Sequence, residues 1–339
     1  MNKFVELPLI EPVYQTYHYQ GTGSAILKSN PTIRNWFLNE IMNLRCSRKF
    51  LSGYTTPEIT IDQSGFAANP YLERYWMSLH FAKGYINPII REMLNNGYYV
   101  TFGGVDDFYI PGKSWYKKRH FAHDGLICGY NQNDKTFCIY AYNSNWTYQK
   151  FWIPQKSFNM GCASTVKHYK SSGINALKPT SEIVAFSPEI ACKKIVEYLD
   201  SSLEKYPMDG DGTVLGVVVH AYIAEYVAKL YDGSIPYERM DWRVFRVIWE
   251  HKKVMLERIQ AIEHALNMGN AFSNTYQMVV AEANTMRMLY ASHHMKRRDS
   301  ILPTIYKQLL ALVETEKEIL SDLINAVRKD LKNATLEIY

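Results

Sequence analysis

His123-Asp124-Gly125-Leu126-Ile127-Cys128-Gly129-Tyr130 and Thr136-Phe137-Cys138-Ile139-Tyr140-Ala141-Tyr142-Asn143 decide how the first half of this chain folds. Each is a short apolar run of strand character, and Asn131-Gln132-Asn133-Asp134 between them supplies turn chemistry. Two antiparallel strands joined there set His123 and Asn143 side by side at one end of a hairpin. A histidine oriented by a neighbouring amide or carboxylate is a general base. His123 and Asn143 are therefore the first candidate site residues, with a nucleophile still to be found.

Working outward, the helical period of Ile86 to Asn95 is stopped by Asn96-Gly97, and Tyr98-Tyr99-Val100-Thr101-Phe102 reads as a strand. Phe151-Trp152-Ile153 adds another. Nearer the N-terminus, Asn30 and Pro31 read as the cap and first residue of a helix running to Met42. Helices beside an antiparallel sheet make an α+β layout. The character changes near Lys178-Pro179-Thr180-Ser181, which divides the chain into domains at 1–180 and 181–339. Beyond it, segments of 3.6-residue period begin at Pro188, Gly216, Trp242, Ser273 and Asp299. The last three are long, with short connections, and predict an all-α helical bundle. Lys296-Arg297-Arg298 fits a helix C-terminus, where cations complement the dipole.

The 339 residues are 47% hydrophobic and 21% charged, ample for a core, and the 26 tyrosines suit pockets as well as packing. A net charge of +5 without a long basic run argues against nucleic acid. No run reaches transmembrane length and Met1 to Pro8 lacks a signal-peptide core, so no membrane partner is expected. Five cysteines without a C-x-x-C pair argue against zinc and a disulfide scaffold, and fit a cytoplasmic protein with reduced thiols.

Three pieces come in a characteristic order: Ile86 to Val100, the step Val105-Asp106-Asp107-Phe108-Tyr109, and His123 to Tyr130. Together they resemble the papain-like N-terminal domain of the butirosin-pathway acyltransferase family, over roughly residues 5 to 165. Bacteriocin-processing cysteine peptidases are similar in the His-to-Gly spacing. The resemblance implies a papain-like fold and acyl transfer from a phosphopantetheinyl carrier protein's thioester to an amine, or an amidase-type, amide-cleaving activity, in nonribosomal-peptide or polyketide-type antibiotic biosynthesis. It implies no cofactor. His123 would match the family base and Asn143 its orienting residue. The family nucleophile is a Cys at the N-terminus of the first helix, where dipole and histidine lower its pKa.

The matching window, Lys28-Ser29-Asn30-Pro31, has no Cys. Ser29 is the candidate nucleophile there, with Ser24 an alternative if the helix starts earlier. Cys46 lies past the far end of that helix, roughly 20 Å from its start at 1.5 Å rise per residue. Two other functions fit the same residues: a catalytically inactive papain-like binding or scaffold protein, and a cysteine peptidase using Cys46. Gly21-Thr22-Gly23-Ser24 reads as a turn rather than a phosphate cradle. The adjacent carboxylates of Asp106-Asp107 should point to opposite faces, which disfavours a shared metal. His293-His294 fails as a metal pair for the same reason.

Overall fold

The computed structural model describes residues 2–53, 55–61, 69–82, 84–168, 172–201 and 212–336, with side chains to 330. In chain order the elements are β1 (Phe4–Glu6), α1 (His18–Ser29), α2 (Arg34–Glu40), β2 (Leu44–Ser47), β3 (Thr60–Ile61) and β4 (Leu72–Ser78). There follow α3 (Ile86–Asn95), β5 (Tyr99–Asp106), β6 (Ala122–Asn131), β7 (Thr136–Tyr142), β8 (Tyr148–Pro154), α4 (Gln155–His168) and β9 (Gly173–Pro179). The remainder is α5 (Pro188–Leu199), β10 (Thr213–Leu215), α6 (Val219–Tyr231), α7 (Val244–Ala265), α8 (Ala271–Lys296) and α9 (Leu302–Leu336). This is a mixed α+β chain.

It divides into two compact units, residues 1–34 with 68–183, and residues 35–67 with 184–339. The expected boundary at 180/181 lies near the junction at 183/184, but 35–67 group with the C-terminal residues.

The first unit is built on a seven-stranded sheet of order β4-β9-β5-β6-β7-β8, with β1 paired to the C-terminal end of β6. The expected strands at 98–102, 126–130 and 137–142 share this sheet as β5, β6 and β7, all antiparallel. Asn131 Oδ1 accepts from the backbone N–H of Asn133 and Asp134, closing the hairpin turn as its composition predicts. Helices α3 and α4 cover an apolar core that includes Ile90, Leu94, Phe102, Ile127, Phe137 and Phe158. At Gly161 of α4 a Cβ would stand 2.7 Å from Val105 Cγ1, so glycine lets α4 lie close against β5. Strand β6 runs between β5 and β7, with His123 paired to Val105 of β5.

Helix α1 overturns two expectations. Gly21 to Ser24 are helical, not a turn, and Asn30 is the C-cap of α1 rather than the N-cap of the next helix. The next helix starts only at Arg34. Two glycines make α1 a weak helix by propensity, but packing overrides this. Its Ala25, Ile26 and Leu27 are fully buried.

The second unit holds the expected long helices, with α7 packed on α8, and α9 on α8 and α6. It is not all-α. The strands β10, β2 and β3 form a small antiparallel sheet. Cys46, expected beyond a helix end, lies in β2 and is buried. Inside the bundle Glu316 of α9 accepts from Lys252 of α7 at 2.6 Å and Tyr198 of α5 at 2.9 Å, and also from Tyr276 of α8. Lys252 in turn donates to His220 of α6, 3.1 Å away. All five side chains are buried, so one ionic cluster ties together five helices. No helix among the described residues is long and apolar enough to cross a membrane.

Candidate active site

The chemistry-bearing side chains of the first unit converge where α1 begins and β6 enters the sheet. His18 is the first residue of α1, and His123 is the second residue of β6. Their ring centroids lie 4.5 Å apart. Each ring is gripped by its own carboxylate. His18 Nδ1 is 2.6 Å from Asp124 Oδ1, and His123 Nδ1 is 2.9 Å from Asp107 Oδ2. A carboxylate only accepts, so each Nδ1 carries the proton and each neutral ring keeps its lone pair on Nε2.

Asp107 reaches His123 because β5 carries a bulge between Phe102 and Val105, with Gly104 at φ +78°. A bulge re-aims the residues that follow it. The two neighbouring carboxylates then part, as their alternation predicts. Asp106 accepts from His120 Nδ1 and Ser164 Oγ, both at 2.7 Å, while Asp107 turns to His123 and Lys113. The Lys113 ammonium is buried and stands 3.6 Å from Asp107 Oδ1, an ion pair too long to be a hydrogen bond. Its Nζ has no hydrogen-bond acceptor among the described residues.

Aromatic rings wall the site. Tyr142 stacks on His18 at 4.9 Å, Tyr148 lies 5.7 Å from it, and Phe121 meets His123 edge-on at 4.8 Å. The Tyr148 side chain also presses on α1. A Cβ on Gly21 would stand 2.9 Å from its hydroxyl oxygen, so glycine is what this packing admits.

Burial sets the charges. It lowers the His18 pKa, and the opposing pull of Asp124 does not restore it, so His18 is held neutral. Burial alone would raise Asp124, but the bond from His18 outweighs it and Asp124 is held below the usual carboxylate range. Burial also lowers Lys113, with Asp107 and Asp124 pulling the other way. The Tyr148 hydroxyl, buried beside Asp124, is pushed well above its ordinary value.

The residues expected from sequence are placed differently from one another. His123 is in the site. Asn143 is not brought to its Nδ1: the Asn143 Oδ1 accepts from the N–H of Asn145 at 2.9 Å and of Thr147 at 3.0 Å, holding its own turn. Short amide side chains favour such local bonds. The orienting group on His123 is Asp107. Ser29 is the last residue of α1, not the first; its hydroxyl donates to Ala25 O at 2.6 Å and accepts from Ile10 N at 2.7 Å. It lies about 16 Å along the helix axis from His18. Ser24 is fully buried, with its hydroxyl donating to Gly21 O.

No cysteine occurs in α1. All five cysteines are buried free thiols. Burial pushes Cys46 up to about 12 and Cys192 up to about 11. Sequence reading missed His18, Asp107, Asp124 and Lys113. The carboxylates were signalled, one beside His123 and one in the Val105–Tyr109 step; His18 was hidden with α1. His18, His123 and Asp124 could also hold a metal ion, since each offers a ligand atom within 4.8 Å of the others.

The chain matches no protein-family model and no curated protein sequence.

Proposed function

We propose that the protein is a papain-like acyltransferase in which His123 is the general base and Asp107 orients it. The observation that carries this reading is the 2.9 Å bond from His123 Nδ1 to a buried carboxylate, which makes Nε2 the nitrogen that bears the lone pair of the neutral ring. The donor is a carrier-protein acyl thioester and the acceptor an amine, as in the family that the sequence resembles. With no thiol or serine hydroxyl at the start of α1, the amine attacks the thioester carbon directly. His123 Nε2 takes the amine proton as the C–N bond forms, the C–S bond breaks, and the proton passes to the departing thiolate. This reading assigns Ser29 and Asn143 no catalytic role.

Its test uses a synthetic donor, an acetyl thioester of N-acetylcysteamine, with glycinamide as acceptor. The reading expects amide formation and no acetylated protein by intact mass. An acetyl adduct would replace it with a covalent mechanism. Absence of turnover would favour a second reading, a binding protein of the same assembly line. That reading is supported by the missing helix-start cysteine. The buried position of Cys46 and its raised pKa lend no support to a cysteine peptidase.

A further inference from the structure

The same two histidines meet the requirements of a metal centre, which general-base catalysis does not need. A base needs one imidazole with one carboxylate behind it. Here a second imidazole, His18, lies 4.5 Å from the first and has a carboxylate of its own. We propose that His18, His123 and Asp124 bind one Zn2+ ion.

Four observations carry this. The three residues each offer a ligand atom, all within 4.8 Å of one another. Two imidazoles and a carboxylate are a ligand set that borderline divalent ions take, and three protein ligands leave a fourth position open. His123 already has the supporting contact of a metal-bound histidine, its Nδ1–H fixed by Asp107 so that Nε2 is presented. The charge also favours a cation. Asp107 and Asp124 against Lys113 leave one negative charge in excess when both rings are neutral.

Zinc on His18 Nδ1 displaces the proton that now bridges it to Asp124 Oδ1, 2.6 Å away; the ring stays neutral by switching tautomer, with its proton on Nε2. Zinc bonds of about 2.0–2.2 Å require that gap to widen by about 1 Å or less. A zinc ion takes the His123 lone pair, so a loaded site cannot use His123 as a base. Zinc therefore switches acyl transfer off. This regulatory consequence rests on the function proposed above; the binding does not.

The test is equilibrium dialysis of the full chain against Zn2+ with metal content measured directly, and Co2+ as a spectroscopic substitute. The expected result is one zinc per chain, affinity at least about tenfold lower in Asp124→Asn and in His18→Gln, and no change in His120→Gln. The last variant controls for the exposed His120–His168 pair, whose rings are 6.3 Å apart. A Co2+ spectrum with nitrogen and oxygen ligation and no thiolate band is expected in the wild type. Circular dichroism of each variant separates lost binding from lost fold. Sub-stoichiometric zinc, binding that survives both site variants, or binding lost in His120→Gln would overturn the site. In the thioester assay zinc should abolish turnover and EDTA restore it. Zinc bound with turnover unchanged overturns the switch. Zinc bound by a protein that shows no turnover even with EDTA overturns the acyl-transfer reading and leaves the metal site standing.

Discussion

The rings of His18 and His123 lie 4.5 Å apart, one at the start of a helix and the other at the start of a central strand. Each has its Nδ1 engaged by a carboxylate of its own, at 2.6 Å for His18 and 2.9 Å for His123. The functional expectations follow from that arrangement, and the stability ones from packing inside each unit.

Ser29→Ala should leave acyl transfer within about twofold of wild type. The Ser29 hydroxyl ties the end of α1 to Ile10 N, and its loss should appear as about 1 kcal/mol of stability instead. Turnover and urea unfolding of the same variant check this. A rate loss comparable to that of a base variant would make Ser29 a nucleophile.

Gly21→Ala should destabilise the first unit despite removing a helical glycine. Alanine gains about 1 kcal/mol in helix propensity. The new Cβ would stand 2.9–3.0 Å from the Tyr148 hydroxyl and ring, and overpacking of this kind costs about 1–3 kcal/mol. The net expectation is a lower urea midpoint. A raised midpoint would mean that Tyr148 yields freely.

In the second unit, Glu316→Leu or Lys252→Met alone should cost about 3–5 kcal/mol by stranding a buried charge, while the double variant should recover most of the loss. Chemical denaturation of the three variants forms the cycle. Additive losses would show that the two side chains do not act as a pair.

Acid should unfold this bundle through His220. Burial, reinforced by Lys252, lowers its pKa from 6.5 to about 3 in the folded protein. The unfolded chain then binds a proton first, so the neutral ring's contribution is intact above pH 6.5 and declines as pH falls toward 3. By pH 5 the loss from this group is about 2 kcal/mol at 1.36 kcal/mol per pH unit. Glu316 acts in the same direction lower down: burial opposes ionisation, Lys252 outweighs it, and the lowered pKa makes its contribution fade below pH 4.5. His220→Gln should make the fall in stability between pH 6.5 and 4.5 shallower without abolishing it, because burial also lowers the pKa of His251 in the same bundle. An unchanged slope in that window would exclude His220 as its cause.

Much of the sheet was legible in sequence because its signals are local. Gly97 at φ +82° ends α3 where Asn96-Gly97 predicts, and the polar run at 131–134 makes the hairpin. Helix α1 was not legible, because its Gly21 answers to the Tyr148 ring, distant in sequence. Without α1, Asn30-Pro31 reads as a helix start and His18 has no place in a site. The grouping of 35–67 with the C-terminal unit likewise depends on long-range packing. His123 could be singled out, but its partner could not. Hairpin register favours Asn143, whereas the bulge at Gly103-Gly104 aims Asp107, and the Asn143 side chain is used by its own turn.

The most direct measurement of the central claim is the rate of amide formation from the acetyl thioester and glycinamide by wild type, His123→Gln and Asp107→Asn, each checked for native fold by circular dichroism. If His123 is the base and Asp107 its orienting group, His123→Gln loses at least about 100-fold in kcat, and Asp107→Asn follows it with a smaller loss and little change in KM. A His123→Gln protein that is folded and as active as wild type would contradict the account.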